Sequence, residues 1–210
     1  MIPPDQLAAF VFVSIALALA PGPDNIFVLT QSALYGPRAG ILVTLGLCTG
    51  LVFHTVLVAA GVAAILLTSA FAFGLLKLVG VIYLLYLAWL AFHASSTNLK
   101  ADKARPLSHF QLYRRGIIMN ITNPKVSIFF LAFLPQFTAT ANGPIAHQIF
   151  LLGGVFMLTT LLVFGGVAVA AGGLGSWLQR SQKAQVYLHR IAGFVFIGLA
   201  AKLISVNLSR

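Results

Sequence analysis

Six apolar stretches, separated by short polar or glycine- and proline-bearing breaks, take up most of the chain: Leu7 to Ser32, Ala39 to Thr68, Ala70 to His93, Gly116 to Phe137, Ile145 to Ala171 and Tyr187 to Val206. A helix needs about 20 apolar residues to cross a hydrocarbon layer about 30 Å thick. Each stretch meets that length, so the pattern predicts an all-α integral membrane protein with six transmembrane helices, forming a single domain over residues 1–210. Composition agrees: 60% of residues are apolar and 8% charged, with a mean hydropathy of +0.99. A water-soluble domain cannot cover its surface with so few charges. Ala18-Leu19-Ala20 has the small-residue spacing of a signal-peptidase site, but no basic residue precedes it and the apolar run continues, so the first helix is expected to be retained.

The six helices divide into two sets of three. Each set opens with a helix interrupted by proline, at Pro23 and Pro124, and continues with Gly36-Pro37 or Gly143-Pro144. Its third helix carries a basic residue three positions before a glycine, Lys77 before Gly80 and Arg190 before Gly193. The offsets drift in order: 101 residues from Pro23 to Pro124, 107 from Gly36 to Gly143, and 113 from Lys77 to Arg190. An ordered series of this kind predicts an internal repeat. Three helices per unit place the copies in opposite orientations, the inverted-repeat design of secondary transporters. The first repeat is expected over about 1–93, a basic cytoplasmic linker over about 94–113 and the second repeat over about 114–210.

The breaks carry the candidate chemistry. Pro21-Gly22-Pro23 should end one half-helix and start another, because proline lacks an N–H and glycine loosens the chain. The main-chain groups so freed must be buried in protein or line a wet cavity, since lipid cannot satisfy them. Asp24 and Asn25 follow at once, placed to cap the second half-helix. Helix four presents Asn120, Thr122, Asn123 and Lys125 around Pro124. By residue count both breaks fall near mid-membrane, where an ionisable side chain usually serves a pathway, a relay or an ion pair. A simple packing kink would explain either proline alone, but two matched kinks, each beside an ionisable residue, favour a site. The expectation is that Asp24 and Lys125 face one cavity, Asp24 attracting a substrate ammonium or carrying a coupling proton, and Lys125 or a half-helix N-terminus holding a carboxylate. His54 shares a helix face with Gly46 and Gly50 and has two readings: a proton relay, or a neutral ring hydrogen-bonded across a small-residue seam. Lys77 and Arg190 likewise stand between a functional role and snorkelling to an interface.

Charge settles orientation and removes rival classes. The net charge is +10. The odd loops hold Arg38, Lys100, Lys103, Arg105, Arg114, Arg115, Arg180 and Lys183, against Arg210 alone on the other side. The positive-inside rule therefore predicts cytoplasmic odd loops and both termini outside, with anionic lipid as the partner of the basic residues and no nucleic-acid role. Asp5, Asp24 and Asp102 are the only acids, Cys48 is the only cysteine, and the five histidines are scattered. No catalytic constellation and no metal or cofactor site is expected from them. A membrane-embedded redox protein would need a cysteine pair.

Ala20-Pro21-Gly22-Pro23-Asp24-Asn25, together with Asn120-Ile121-Thr122-Asn123-Pro124-Lys125 and the following Phe129 to Phe137, resembles the signature segments of the LysE/RhtB amino-acid exporters. Gly46, Gly50, His54 and the stretch from Lys77 to Trp89 also match that pattern. The resemblance covers essentially the whole chain. It implies a multi-pass protein of the bacterial inner membrane that exports amino acids or close derivatives from the cytoplasm by proton antiport, with a homodimer as the candidate assembly. The alternative transport reading is an exporter of another small solute or of a metal cation, the latter disfavoured by the scarcity of acids.

Overall fold

A computed structural model describes residues 2–20, 22–68, 70–94, 106–171 and 181–205. Pro21, the basic residues Lys100, Lys103, Arg105, Arg180 and Arg210, and most of the expected linker lie outside the described residues. The described residues are helical, without strands. The helices are α1 (Pro4–Leu19), α2 (Pro23–Tyr35), α3 (Pro37–Thr68), α4 (Ala70–His93), α5 (His109–Thr122), α6 (Pro124–Ile128), α7 (Ile145–Ala170) and α8 (Gln182–Ser205). One π-helical turn (Phe129–Phe133) and one 3-10 turn (Leu134–Phe137) extend α6.

Proline and glycine set most boundaries. Proline opens α1, α2, α3 and α6, where its missing N–H would have had no helical partner anyway. Gly36 and Gly143, with φ of +86° and +107°, close the segments just before Pro37 and Pro144. Both corners thus use the left-handed backbone that only glycine adopts without strain. The start of α5 differs from the expected one at Gly116: it lies at His109, inside the presumed linker. Ser108 Oγ accepts from Gln111 N and Gln111 Oε1 accepts from Ser108 N, a capping box that starts the helix early.

Three described helical stretches are long and apolar enough to cross a membrane: Pro37–Gly61, Gly74–His93 and Ile145–Ala170. Two bent pairs raise this to five: α1 with α2, which meet at 62°, and α5 with α6 and its extension, which meet at 51°. Large apolar side chains such as Phe12, Phe71, Leu162 and Phe194 are about two-thirds exposed or more. That girdle would aggregate in water and belongs against lipid tails.

Inside, α3 packs along α5 and α7, and α4 packs along α8. One apolar cluster joins Phe10 and Leu17 of α1, Phe129, Phe130 and Phe133 of the π turn, and Phe156 of α7. Phe129 lies at 5.3 Å from Phe133 and 5.1 Å from Phe156 between ring centroids. A second cluster gathers Val28, Val43, Leu47, Leu112 and Phe164. Ala20 and Val126 belong to the first and Val28 to the second, so by chain position both helix breaks fall between the two clusters.

Glycine sets the α3–α5 spacing. A Cβ on Gly46 would lie 2.1 Å from Tyr113 O, and one on Gly116 would lie 2.3 Å from Val43 O. Gly153 is equally tight, with Thr55 Oγ1 at 2.4 Å from its missing Cβ. Gly154, Gly165 and Gly166 of α7, by contrast, face open space.

Candidate transport site

The first break leaves the last carbonyls of α1 without helical N–H partners, as at any helix end. Three side-chain hydrogen bonds meet them. Asn25 Nδ2 donates to Ala18 O at 2.7 Å, and Lys125 Nζ donates to Leu17 O at 3.3 Å and Ala20 O at 3.1 Å. Lys125 belongs to the second break, so its ammonium crosses from one broken segment to the other. Gly22 makes room for it, since a Cβ there would sit 3.1 Å from Nζ.

Asn123 organises the second break. It ends α5 and caps α6, its Oδ1 accepting from Lys125 N at 3.0 Å. Its Nδ2 donates a short hydrogen bond to Asp24 Oδ1, in the first turn of α2. Pro124 at N1 supplies the preset φ that lets α6 restart directly. Asp24 and Lys125 are thereby linked through Asn123 rather than by a direct ion-pair contact: the acid is served by an amide and the ammonium by main-chain carbonyls.

Asp24 is 3% exposed and Lys125 6%, so both side chains are buried within the protein. An ion buried in this way is costly unless hydrogen-bonded, and here an amide serves the acid and two carbonyls serve the ammonium. His54 on α3 is also buried and its Nε2 lies 3.2 Å from Asn120 O. Its ring is 5.6 Å from that of Phe130. Asn120 in turn packs on Gly50, whose missing Cβ would be 2.7 Å from Asn120 Oδ1. The structure therefore gathers the buried Asp24, His54, Asn120, Asn123 and Lys125 and the half-buried Gly22 and Asn25, from both breaks and the adjoining α3, into one polar cluster, with Pro23 and Pro124 opening the two restarting helices.

Among the described residues, four buried side-chain oxygens have no hydrogen-bond partner: Asn25 Oδ1, Thr30 Oγ1, Gln31 Oε1 and Asn120 Oδ1. Buried polar atoms are nearly always paired, so each of these four oxygens, three on α2 and one on α5, could still accept a hydrogen bond. Thr30 and Gln31 lie outside the sequence motifs. A signal for Gln31 exists all the same, because it stands seven residues after Asp24 and so shares its face of α2. Lys77 lies elsewhere: its Nζ donates to Ile204 O at 3.2 Å, near the end of α8, which a cation favours. Arg190 is exposed. Lys202 places its ammonium 4.5 Å from the Phe137 ring centre.

Two proline-broken helices with a buried acid and a buried lysine at the breaks suit a membrane translocator. The model of the LysE type translocator family matches residues 15–206, and the chain belongs to that family. It is 32% identical over 197 residues to the homoserine/homoserine lactone efflux protein of Salmonella typhimurium, covering 94% of this chain and 95% of that one. It is 28% identical over 206 residues to the uncharacterized membrane protein YrhP of Bacillus subtilis, covering 94% and 97%. An uncharacterized membrane protein of Vibrio cholerae is 30% identical over 192 residues, covering 90% and 92%. No solved structure matches the chain significantly. It is a multi-pass membrane protein of a translocator family, which is not an enzyme class.

Proposed function

We propose that the protein exports amino acids or close amino-bearing derivatives across the bacterial inner membrane in exchange for protons. The observation that carries this reading is the buried cluster at the paired breaks, where the Asp24 carboxylate is bonded to Asn123 and main-chain carbonyls at the end of α1 take up the one lysine, so that acceptors outnumber cationic donors. Such a surplus suits a guest that brings several N–H donors, foremost a primary ammonium. The two compounds named for the Salmonella relative agree with this emphasis: homoserine and its lactone both carry an α-ammonium, but the lactone has no free carboxylate. Asp24 is the residue to exchange a proton for the ammonium, with Asn123 orienting it. Lys125 or the α6 N-terminus meets a carboxylate when the substrate has one.

In this reading each bent pair is one span, giving six with α3, α4, α7 and α8 as two inverted repeats. The glycine corners before Pro37 and Pro144 support it. So does the packing of α3 on α7 and of α4 on α8, each helix against its repeat counterpart. Alternating access then proceeds by movement of one repeat against the other around Asp24 and Lys125. The test is a panel of labelled amino acids and homoserine lactone loaded into proteoliposomes, with efflux followed under an imposed pH gradient. Faster release than from protein-free vesicles, abolished by collapsing the gradient, is expected. Release equal to that of protein-free vesicles for every compound refutes the proposal.

A further inference from the structure

Lys125 makes the contacts that a primary ammonium group of a guest could make. Its ammonium is buried, reaches across from the second break, and spends two of its three donors on the carbonyls of Leu17 and Ala20. Those carbonyls are acceptors because α1 ends there, and the membrane interior offers no water to replace a missing donor. When the carrier is empty, something with N–H groups has to occupy that place. Lysine is suited to it, being a point charge with three donors on a flexible four-carbon stem that can withdraw. The fit is close, because a Cβ on Gly22 would stand 3.1 Å from Nζ, tighter than an ordinary contact.

We propose that the carbonyl cradle of Leu17 and Ala20 is the seat for the substrate's primary ammonium group, and that Lys125 fills it in the empty carrier as a tethered stand-in which substrate displaces. This deepens, and rests on, the reading of the protein as an exporter of amino-bearing solutes. Substrate and Lys125 present the same chemical group to the same acceptors, so each excludes the other. The displaced lysine is then free to face the substrate's carboxylate where one exists. The empty carrier can close and return because its own lysine satisfies the cradle; without that lysine, return requires a bound amine. Ammonium is thereby the required feature of the substrate and carboxylate the optional one.

Two measurements test this. In proteoliposomes, labelled homoserine is followed both as net efflux into amine-free buffer and as exchange against external unlabelled homoserine. Lys125→Met should raise the ratio of exchange to net efflux by about tenfold or more, the change expected from losing a hydrogen bond made by a charged group. An unchanged ratio overturns the proposal. The second measurement is thermal unfolding of purified Lys125→Ala with and without butylammonium chloride. The variant should lose stability and regain it with butylammonium, but not with butanol, while the wild type responds to neither. No regain, equal regain with butanol, or a variant that cannot be purified even with butylammonium present overturns the assignment, because an ammonium seat must accept a free ammonium. Wild-type vesicles that move no amino compound in either mode refute the export reading itself. Wild-type transport with an unchanged ratio in the variant refutes only the exchange of Lys125 for substrate.

Discussion

Substituting Gly46 by alanine tests whether the approach of α3 to α5 is as close as the structure shows. The new methyl carbon would stand 2.1 Å from Tyr113 O, 3.0 Å from Gly116 Cα and 3.0 Å from Ile117 N. A carbon and a carbonyl oxygen rest in contact at about 3.3 Å. The clash therefore exceeds an ångström and is made wholly with main chain, which no rotamer change relieves. The helices must separate, with a loss of about 1–3 kcal/mol for an overpacked contact. Gly154→Ala on α7 is the matched control: its Cβ meets nothing within 4 Å, and alanine favours helix over glycine by about 1 kcal/mol. On the scale of about 2–4 °C per kcal/mol for a chain of this size, Gly46→Ala should melt roughly 5 °C below wild type in detergent. Gly154→Ala should melt at or above wild type. Equal melting temperatures for the two variants would show that α3 and α5 do not cross at Gly46, and the placement of Asn120 against Gly50 one turn along would fall with it.

Asp24→Asn keeps an acceptor for Asn123 but removes the charge. Proton-driven export should fall by about 100-fold or more, the range for loss of a positioned proton-transfer group, with the protein still monodisperse by size-exclusion chromatography; wild-type flux would remove Asp24 from the coupling step. Phe129→Ala empties the centre of the aromatic cluster and should lower unfolding stability by about 3 kcal/mol in a denaturant titration, the low end for buried phenylalanine, because lipid solvates an exposed ring and only packing is lost. Ser108→Ala removes the side-chain cap of α5 and should weaken its first turn by about 1 kcal/mol, seen as faster amide hydrogen exchange at Gln111 and Leu112 with transport unchanged.

Helix-forming stretches and their two interruptions are local properties, legible in the order of residues. Lipid leaves only apolar stretches of membrane-spanning length, and proline disrupts the i to i−4 ladder wherever it falls in a helix interior. The left-handed corners at Gly36 and Gly143 follow from the same logic, glycine closing a segment before proline opens the next. The early start of α5 depends on Ser108 and Gln111, a capping pair hidden in a polar stretch with no hydrophobic period to frame it.

Asp24 and Lys125 stand out as ionisable residues beside prolines, whatever the fold around them. Their actual partners do not. That Asn123 lies between them, that Lys125 reaches back to carbonyls 105 and 108 residues earlier, and that Gly46 and Gly153 face backbone and side chains while Gly154 and Gly166 face nothing are matters of which helices touch. The period of a fully apolar helix does not say which side meets protein and which meets lipid, because both are equally apolar. Sequence therefore determined the membrane class, the breaks and their polar residues, whereas tertiary packing alone decided how the two breaks satisfy one another's orphaned main chain.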